Sequence, residues 1–191
     1  MEIVIASKNS GKIREIREIL GEGVNLLSLF DLSNDINVTE DGESYRENAE
    51  KKATVVSSIS KKPALADDSG LEIEALDGAP GVFSARFGGD VNYDKKNQMI
   101  LNLLSGVGAE KRKARYVCVV CLAYPSGRVE VAEGIVEGVI ATKPKGKGGF
   151  GYDPIFYYPQ MKKTFAELSP EEKNKISHRA VALCKIKRFL K

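Results

Sequence analysis

Histidine is nearly missing from this chain. One occurs among 191 residues, with no Ser/His/Asp or metal-ligand spacing around it, which argues against a triad hydrolase and a His-rich metal centre. Cysteine is scarce too, with three in all, an odd count that suits a reducing compartment better than a disulfide framework. Cys118 and Cys121 form a CxxC, but they lie in a run of strand formers from Arg115 to Tyr124. A separation of three turns strand side chains to opposite faces, so both are expected to be buried small hydrophobes. Neither sign of charge dominates: 29 Lys and Arg against 26 Asp and Glu leave +3. That is too little to hold nucleic acid or an anionic membrane. No apolar run approaches the ~18 residues of a membrane-spanning helix, and Met1 to Ala6 lacks the basic-then-apolar form of a secretory signal. A cytoplasmic protein is expected, with any phosphate-binding charge local.

What is present suits a single domain over residues 1–191 with a real core, since 42% of residues are hydrophobic. An apolar strand is expected at 2–6, then a polar loop from Ser7 to Gly11, then an amphipathic helix at 12–20 with Ile13, Ile16, Ile19 and Leu20 at helical spacing. A strand near 24–29 and a helix over 43–60 follow. Short strands at 63–66 and 71–74 are expected to flank Asp67-Asp68-Ser69-Gly70, and a helix covers 92–105. Pro125-Ser126-Gly127 joins two long strands, 113–124 and 128–140, as a hairpin. Residues 143–154, rich in Gly, Lys and Pro, cannot be regular throughout. Ser169-Pro170-Glu171-Glu172 reads as a helix start, and a last helix spans about 177–190. Helices and strands interleave, giving an α/β chain, and the long hairpin makes its sheet mixed rather than wholly parallel.

Four segments carry chemistry. Backbone N–H groups at the start of the first helix, with Lys12 beside them, attract phosphate. A P-loop is excluded, because it needs Gly at position 6 and Ser or Thr at 13, where this chain has Ala6 and Ile13. Asp67 and Asp68 offer carboxylate oxygens of the kind that hold Mg²⁺ or accept a proton from water; an ordinary turn is the plainer reading. A second acidic cluster is Glu40-Asp41-Gly42-Glu43. From Lys143 to Pro154, lysines and glycines let the backbone approach a ligand, with Phe150 and Tyr152 as flat surfaces and Asp153 after them. Finally, Lys173 and Ser177-His178-Arg179 include a guanidinium able to recognise oxygen acceptors in a fixed plane. Cations, acids, a flat aromatic and directed donors together compose a nucleotide site.

In the order SKNSGK, ADDSGL, PGVFSARF, GGFGYDPIF and KNKISHR, these motifs resemble those of the inosine triphosphate pyrophosphatase family from Ser7 to Arg179. The resemblance implies a long twisted mixed β-sheet flanked by helices, with two lobes and the active-site cleft between them. It implies hydrolysis of ITP, dITP or XTP to the monophosphate and pyrophosphate, with Mg²⁺ as cofactor, in a homodimer. Ser7, Lys8, Asn9, Ser10, Gly11 and Lys12 would hold the triphosphate, with Lys12 as its main cation. Asp68 would be general base and metal ligand, Glu40 the second metal contact, with Ser69 beside the substrate and Asp67 assisting nearby. Phe150, Gly151, Tyr152 and Asp153 would line base and sugar, with Phe150 stacked on the purine. Lys173, His178 and Arg179 would face the base and its exocyclic oxygen. Two alternatives stand beside this one: a nucleotide sensor without turnover, and a pyrophosphatase for modified pyrimidine nucleotides.

Overall fold

Ile3, Val4 and Ile5 have no exposed surface, which places β1 (Glu2–Ile5) inside the sheet. Its neighbours β2 (Asn25–Ser28) and β3 (Ala64–Ile73) both run parallel to it. Beyond β3 every pairing is antiparallel, through β4 (Lys113–Ala123), β5 (Val129–Ile140), β6 (Phe156–Tyr158) and β7 (Lys163–Thr164). The order is therefore β2-β1-β3-β4-β5-β6-β7, a mixed sheet as expected. This is a computed structural model, and it describes residues 2–32 and 36–190.

The strand pair expected around Asp67-Asp68-Ser69-Gly70 is instead one unbroken ten-residue strand, β3. It ladders with β4 from Ala64 opposite Ala123 to Ile73 opposite Ala114. Turn-forming residues stay extended here because β4 satisfies their backbone and partners on both faces take their side chains. Among the described residues five α-helices surround the sheet: α1 (Ser10–Leu20), α2 (Tyr45–Ser60), α3 (Tyr93–Leu103), α4 (Pro170–Ile176) and α5 (His178–Ile186). The last ends before the expected boundary, giving way to a 3₁₀ turn at Lys187–Phe189.

Alternation along the strands sends the core in two directions. Ile3, Ile5, Leu65, Cys118 and Val120 pack with Ile16 of α1 and Leu183 of α5 on one face. Val4, Ala64, Ala66 and Cys121 pack with Ala49, Ala53 and Val56 of α2 on the other. Cys118 and Cys121 thus lie on opposite faces, as the strand period requires. Farther along the long strands, Leu71, Ile73, Tyr116, Phe156 and Phe165 build a third cluster with Ile100 of α3. Each such apolar side chain contributes roughly 1.5–3 kcal/mol on burial. The seat of α5 is set by Gly134 of β5: a Cβ there would stand 2.1 Å from the His178 carbonyl and 2.5 Å from the Ala182 nitrogen. Only a glycine lets the helix lie that close, and the approach carries His178 and Arg179 down onto the sheet.

Candidate active site

The polar loop after β1 is held by its own side chains. The Ser7 Oγ accepts from the Asn9 N–H (3.1 Å), and Asn9 caps α1 by accepting from the Lys12 N–H (3.1 Å). Such a cap contributes about 1 kcal/mol. A recess of about 270 Å³ opens beside it, lined by Ser7, Lys8, Asn9, Lys12, Glu40 and Lys52. Ser10 and Gly11 start the helix, and a Cβ on Gly11 would stand 2.9 Å from Cδ1 of Phe150. Lys8 Nζ donates to Asn37 Oδ1 (2.5 Å).

Because β3 is a true strand, its adjacent aspartates point to opposite faces. Asp67 turns toward α1 and α5 and is 1% exposed. Its Oδ2 pairs with Lys12 Nζ (3.0 Å), accepts from Arg179 Nη2 (3.0 Å) and Nε (3.3 Å), and takes the Ser69 hydroxyl (3.3 Å). Burial alone would raise this carboxyl, but Lys12 and Arg179 outweigh it and hold the pKa well below the usual range. Asp68 turns toward α2, where Asn48 Nδ2 donates to its Oδ2 (3.0 Å). Burial pushes its pKa up, with Lys52 and Lys12 opposing and Glu40 adding to the rise. Asp67 is thus a structural anion that takes two cations on Oδ2 while its buried Oδ1 has no hydrogen-bond partner, and Asp68 is a buried carboxylate with no cation bonded to it among the described residues.

Glu40 lies in the irregular loop ahead of α2, its carboxylate paired with Lys52 Nζ and its carbonyl taken by Arg86. Burial would raise the Glu40 pKa, but Lys52 lowers it further. Among the described residues no group of three or more His, Cys, Asp or Glu is arranged to hold a metal. Glu40 and Asp68 line one cleft, and two carboxylates with the remaining positions left to water and phosphate oxygens are the donor set that Mg²⁺ takes. The residues fit that ion.

A second, narrower recess joins the first. Asn9, Lys12 and Glu40 border both, and Asp68, Ser69, Phe150, Lys173, His178 and Arg179 line the second. Gly151, Tyr152 and Asp153 reach it as well, although Tyr152 is 2% exposed and spends its hydroxyl on the Ser84 carbonyl (2.7 Å). Lys173 Nζ bonds Asp153 Oδ2 (2.5 Å) and Glu15 Oε1 (2.7 Å), and the Phe150 ring lies 4.8 Å from it. Arg179 gives Nη1 to Glu15, Nε and Nη2 to Asp67 and Nη2 also to Ser69 (3.1 Å). Most of its donors are committed inside the protein, so its plane is fixed before any ligand arrives. His178 stacks on Tyr116 at 4.5 Å; burial, then Arg179 and Lys173, drive its pKa well below 6.5, so the ring is neutral.

The structure therefore gathers the acidic, basic and aromatic motifs into one cleft, with Ser10 set back and Asp67 beneath it. Glu15, Asn48 and Lys52 escaped the sequence reading. Glu15 sits three residues after Lys12, on the same side of α1, and bridges Lys173 and Arg179. Asn48 and Lys52 lie four apart on α2, buried among Ala49, Ala53 and Val56. Polar residues on an otherwise apolar stripe were the available signal.

The Ham1 family model matches residues 3–189. The dITP/XTP pyrophosphatase of Desulforamulus reducens is 48% identical over 192 residues, covering 100% of this chain and 96% of the relative. A dITP/XTP pyrophosphatase of Thermus thermophilus is 50% identical, covering 96% and 88%. Among solved structures, a HAM1 protein from Coxiella burnetii superposes with a TM-score of 0.89 at 41% identity, covering 100% and 98%. The Staphylococcus aureus Ham1 protein gives 0.88 at 40% identity with the same coverage.

Proposed function

The chain belongs to the Ham1 family, and from that premise we propose that it hydrolyses non-canonical purine nucleoside triphosphates such as ITP, dITP and XTP, releasing the monophosphate and pyrophosphate. One observation carries the reading: Lys12, Glu40 and Asp68 border the same cleft as Phe150, Lys173, His178 and Arg179. Phosphate chemistry at one end thus meets a flat, donor-lined pocket at the other.

In this reading the triphosphate lies along the α1 N-terminus, held by Ser7, Lys8, Asn9, the first-turn amides and Lys12. A water attacks the α-phosphorus, its proton passes to Asp68, and the bond to the β-bridging oxygen breaks. Charge growing on the leaving pyrophosphate is offset by Lys12, whose position Asp67 fixes. Glu40 and Asp68 would hold Mg²⁺, which neutralises phosphate charge when bound. Phe150 stacks on the purine, and the fixed donors of Lys173 and Arg179 suit the 6-oxygen of hypoxanthine or xanthine, not the amino group of adenine. Assembly as a homodimer and a cytoplasmic place of action belong to the same reading. Incubation with ITP and Mg²⁺, with the phosphorus products separated, tests it: IMP and pyrophosphate are expected, and binding without turnover would instead make the protein a sensor.

A further inference from the structure

Two carboxylates meant for one ion stand here on unlike supports. Asp68 is fixed in the middle of a buried strand, whereas Glu40 belongs to an irregular stretch between Ile36 and Ser44 that has no ladder of its own. We propose that Asn48 is the positioning residue that sets one carboxylate against the other, clamping the main chain of the Glu40 loop to the side chain of Asp68. This rests on Glu40 and Asp68 being the metal ligands.

Asn48 is 1% exposed in the first turn of α2. Its Oδ1 accepts from the Gly42 N–H (2.9 Å), and its Nδ2 donates to Asp68 Oδ2 (3.0 Å) and, at longer reach, to the Gly42 carbonyl (3.5 Å). A carboxamide of this length supplies both functions at once. Aspartate in its place would lose the donor and set a second negative charge against Asp68. With Oδ2 gripped by Asn48, the other oxygen, Oδ1, accepts from the Ser69 N–H (3.0 Å).

Gly42 makes the clamp possible from the loop side. A Cβ on it would stand 2.8 Å from Asn48 Oδ1 and 2.9 Å from Glu47 Cβ, closer than such contacts occur. Its backbone is not in the positive-φ region, so the glycine serves this close approach and not a strained turn. Lys52 and Arg86 also hold Glu40, but Lys52 reaches only the Asp67 carbonyl on β3, and Arg86 bonds only the loop. Neither touches the Asp68 carboxylate.

The test measures metal directly. Mn²⁺ binding, in the presence of a non-hydrolysable inosine triphosphate analogue, is followed by loss of the free-ion electron paramagnetic resonance signal in wild type, Asn48→Ala, Gly42→Ala and the double variant. Partners that orient a ligating carboxylate are commonly worth about 10- to 100-fold in metal affinity. Asn48→Ala and Gly42→Ala are each expected to weaken Mn²⁺ binding within that range. Their KM for ITP at saturating metal should stay within about twofold. The double variant should be no worse than Asn48→Ala, because both break one clamp. Unchanged affinity in folded Asn48→Ala, or losses that add in the double variant, would overturn the clamp. Should Asn48→Ala not fold, Gly42→Ala decides alone, and unchanged affinity there overturns it. A wild type that binds no Mn²⁺ refutes the metal site itself, a separate outcome.

Discussion

Replacing each of the two adjacent aspartates by asparagine should separate their roles. Asp67 is 1% exposed and lies between two cations, the half-buried Lys12 at 3.0 Å and the buried Arg179 at 3.0 Å. Asp67→Asn keeps the shape but leaves both cations facing a neutral amide. Removing one partner of a buried pair costs about 3–5 kcal/mol. For a chain of this size each kcal/mol shifts Tm by roughly 2–4 °C, so a fall of about 6–20 °C is expected. Asp68 has no such burden, since its side-chain partner is the neutral Asn48. Asp68→Asn removes a buried charge and is expected to change stability by less than about 1 kcal/mol. Its turnover, however, should fall about 10²-fold or more, with the loss of the proton acceptor and metal ligand. Calorimetry and pyrophosphate release on the two variants check both halves. An Asp68→Asn enzyme with near-normal turnover, or an Asp67→Asn protein with an unmoved Tm, would refute the assignment.

Phe150→Ala should raise KM for ITP by a few-fold to about a hundredfold, taking base–aromatic stacking as roughly 1–3 kcal/mol; an unchanged KM would leave the ring as a cover for Lys173. Arg179→Ala should narrow the preference for ITP over ATP, read as the ratio of kcat/KM values, from a wild-type ratio of up to about 10⁴. A ratio that does not move would deny Arg179 any part in reading the 6-oxygen. His178 gives a stability signature with a definite sign. Burial keeps its ring neutral in the folded state, so as pH falls below about 6.5 only the unfolded chain takes up the proton. Stability should therefore drop, by up to about 1.4 kcal/mol, between pH 7.5 and 5.5 through this one group. Urea unfolding of wild type and His178→Phe at both pH values isolates it, and equal pH dependence in the two would show that His178 takes its proton in the folded protein as well.

Long periodic segments were legible from the residues alone. The ladder of β4 and β5, the N-cap of α4 at Ser169 and the apolar stripe of α1 follow from local pattern. β3 was not legible, because Asp, Ser and Gly favour turns in isolation. Only pairing with β4, more than forty residues away in sequence, keeps them extended. The three-residue β6 and two-residue β7 carry too little pattern to announce themselves. Within the site, the cations and aromatics were visible as motifs. Glu15 and Asn48 were not, since each acts through a residue that the fold brings from afar, Arg179 in one case and Asp68 in the other. The distinction between Asp67 and Asp68 likewise needed the strand, whose alternation sends one to the cations and the other toward α2.

The most direct test of the proposed activity follows the phosphorus products of ITP hydrolysis by ³¹P NMR in water enriched in ¹⁸O. Attack at the α-phosphorus, the site that places Asp68 beside the water and Lys12 beside the leaving group, should give IMP carrying the ¹⁸O, with unlabelled pyrophosphate as the first product. Labelled orthophosphate appearing first, with IDP, would mean attack at the γ-phosphorus and would contradict the assignment of the cleft.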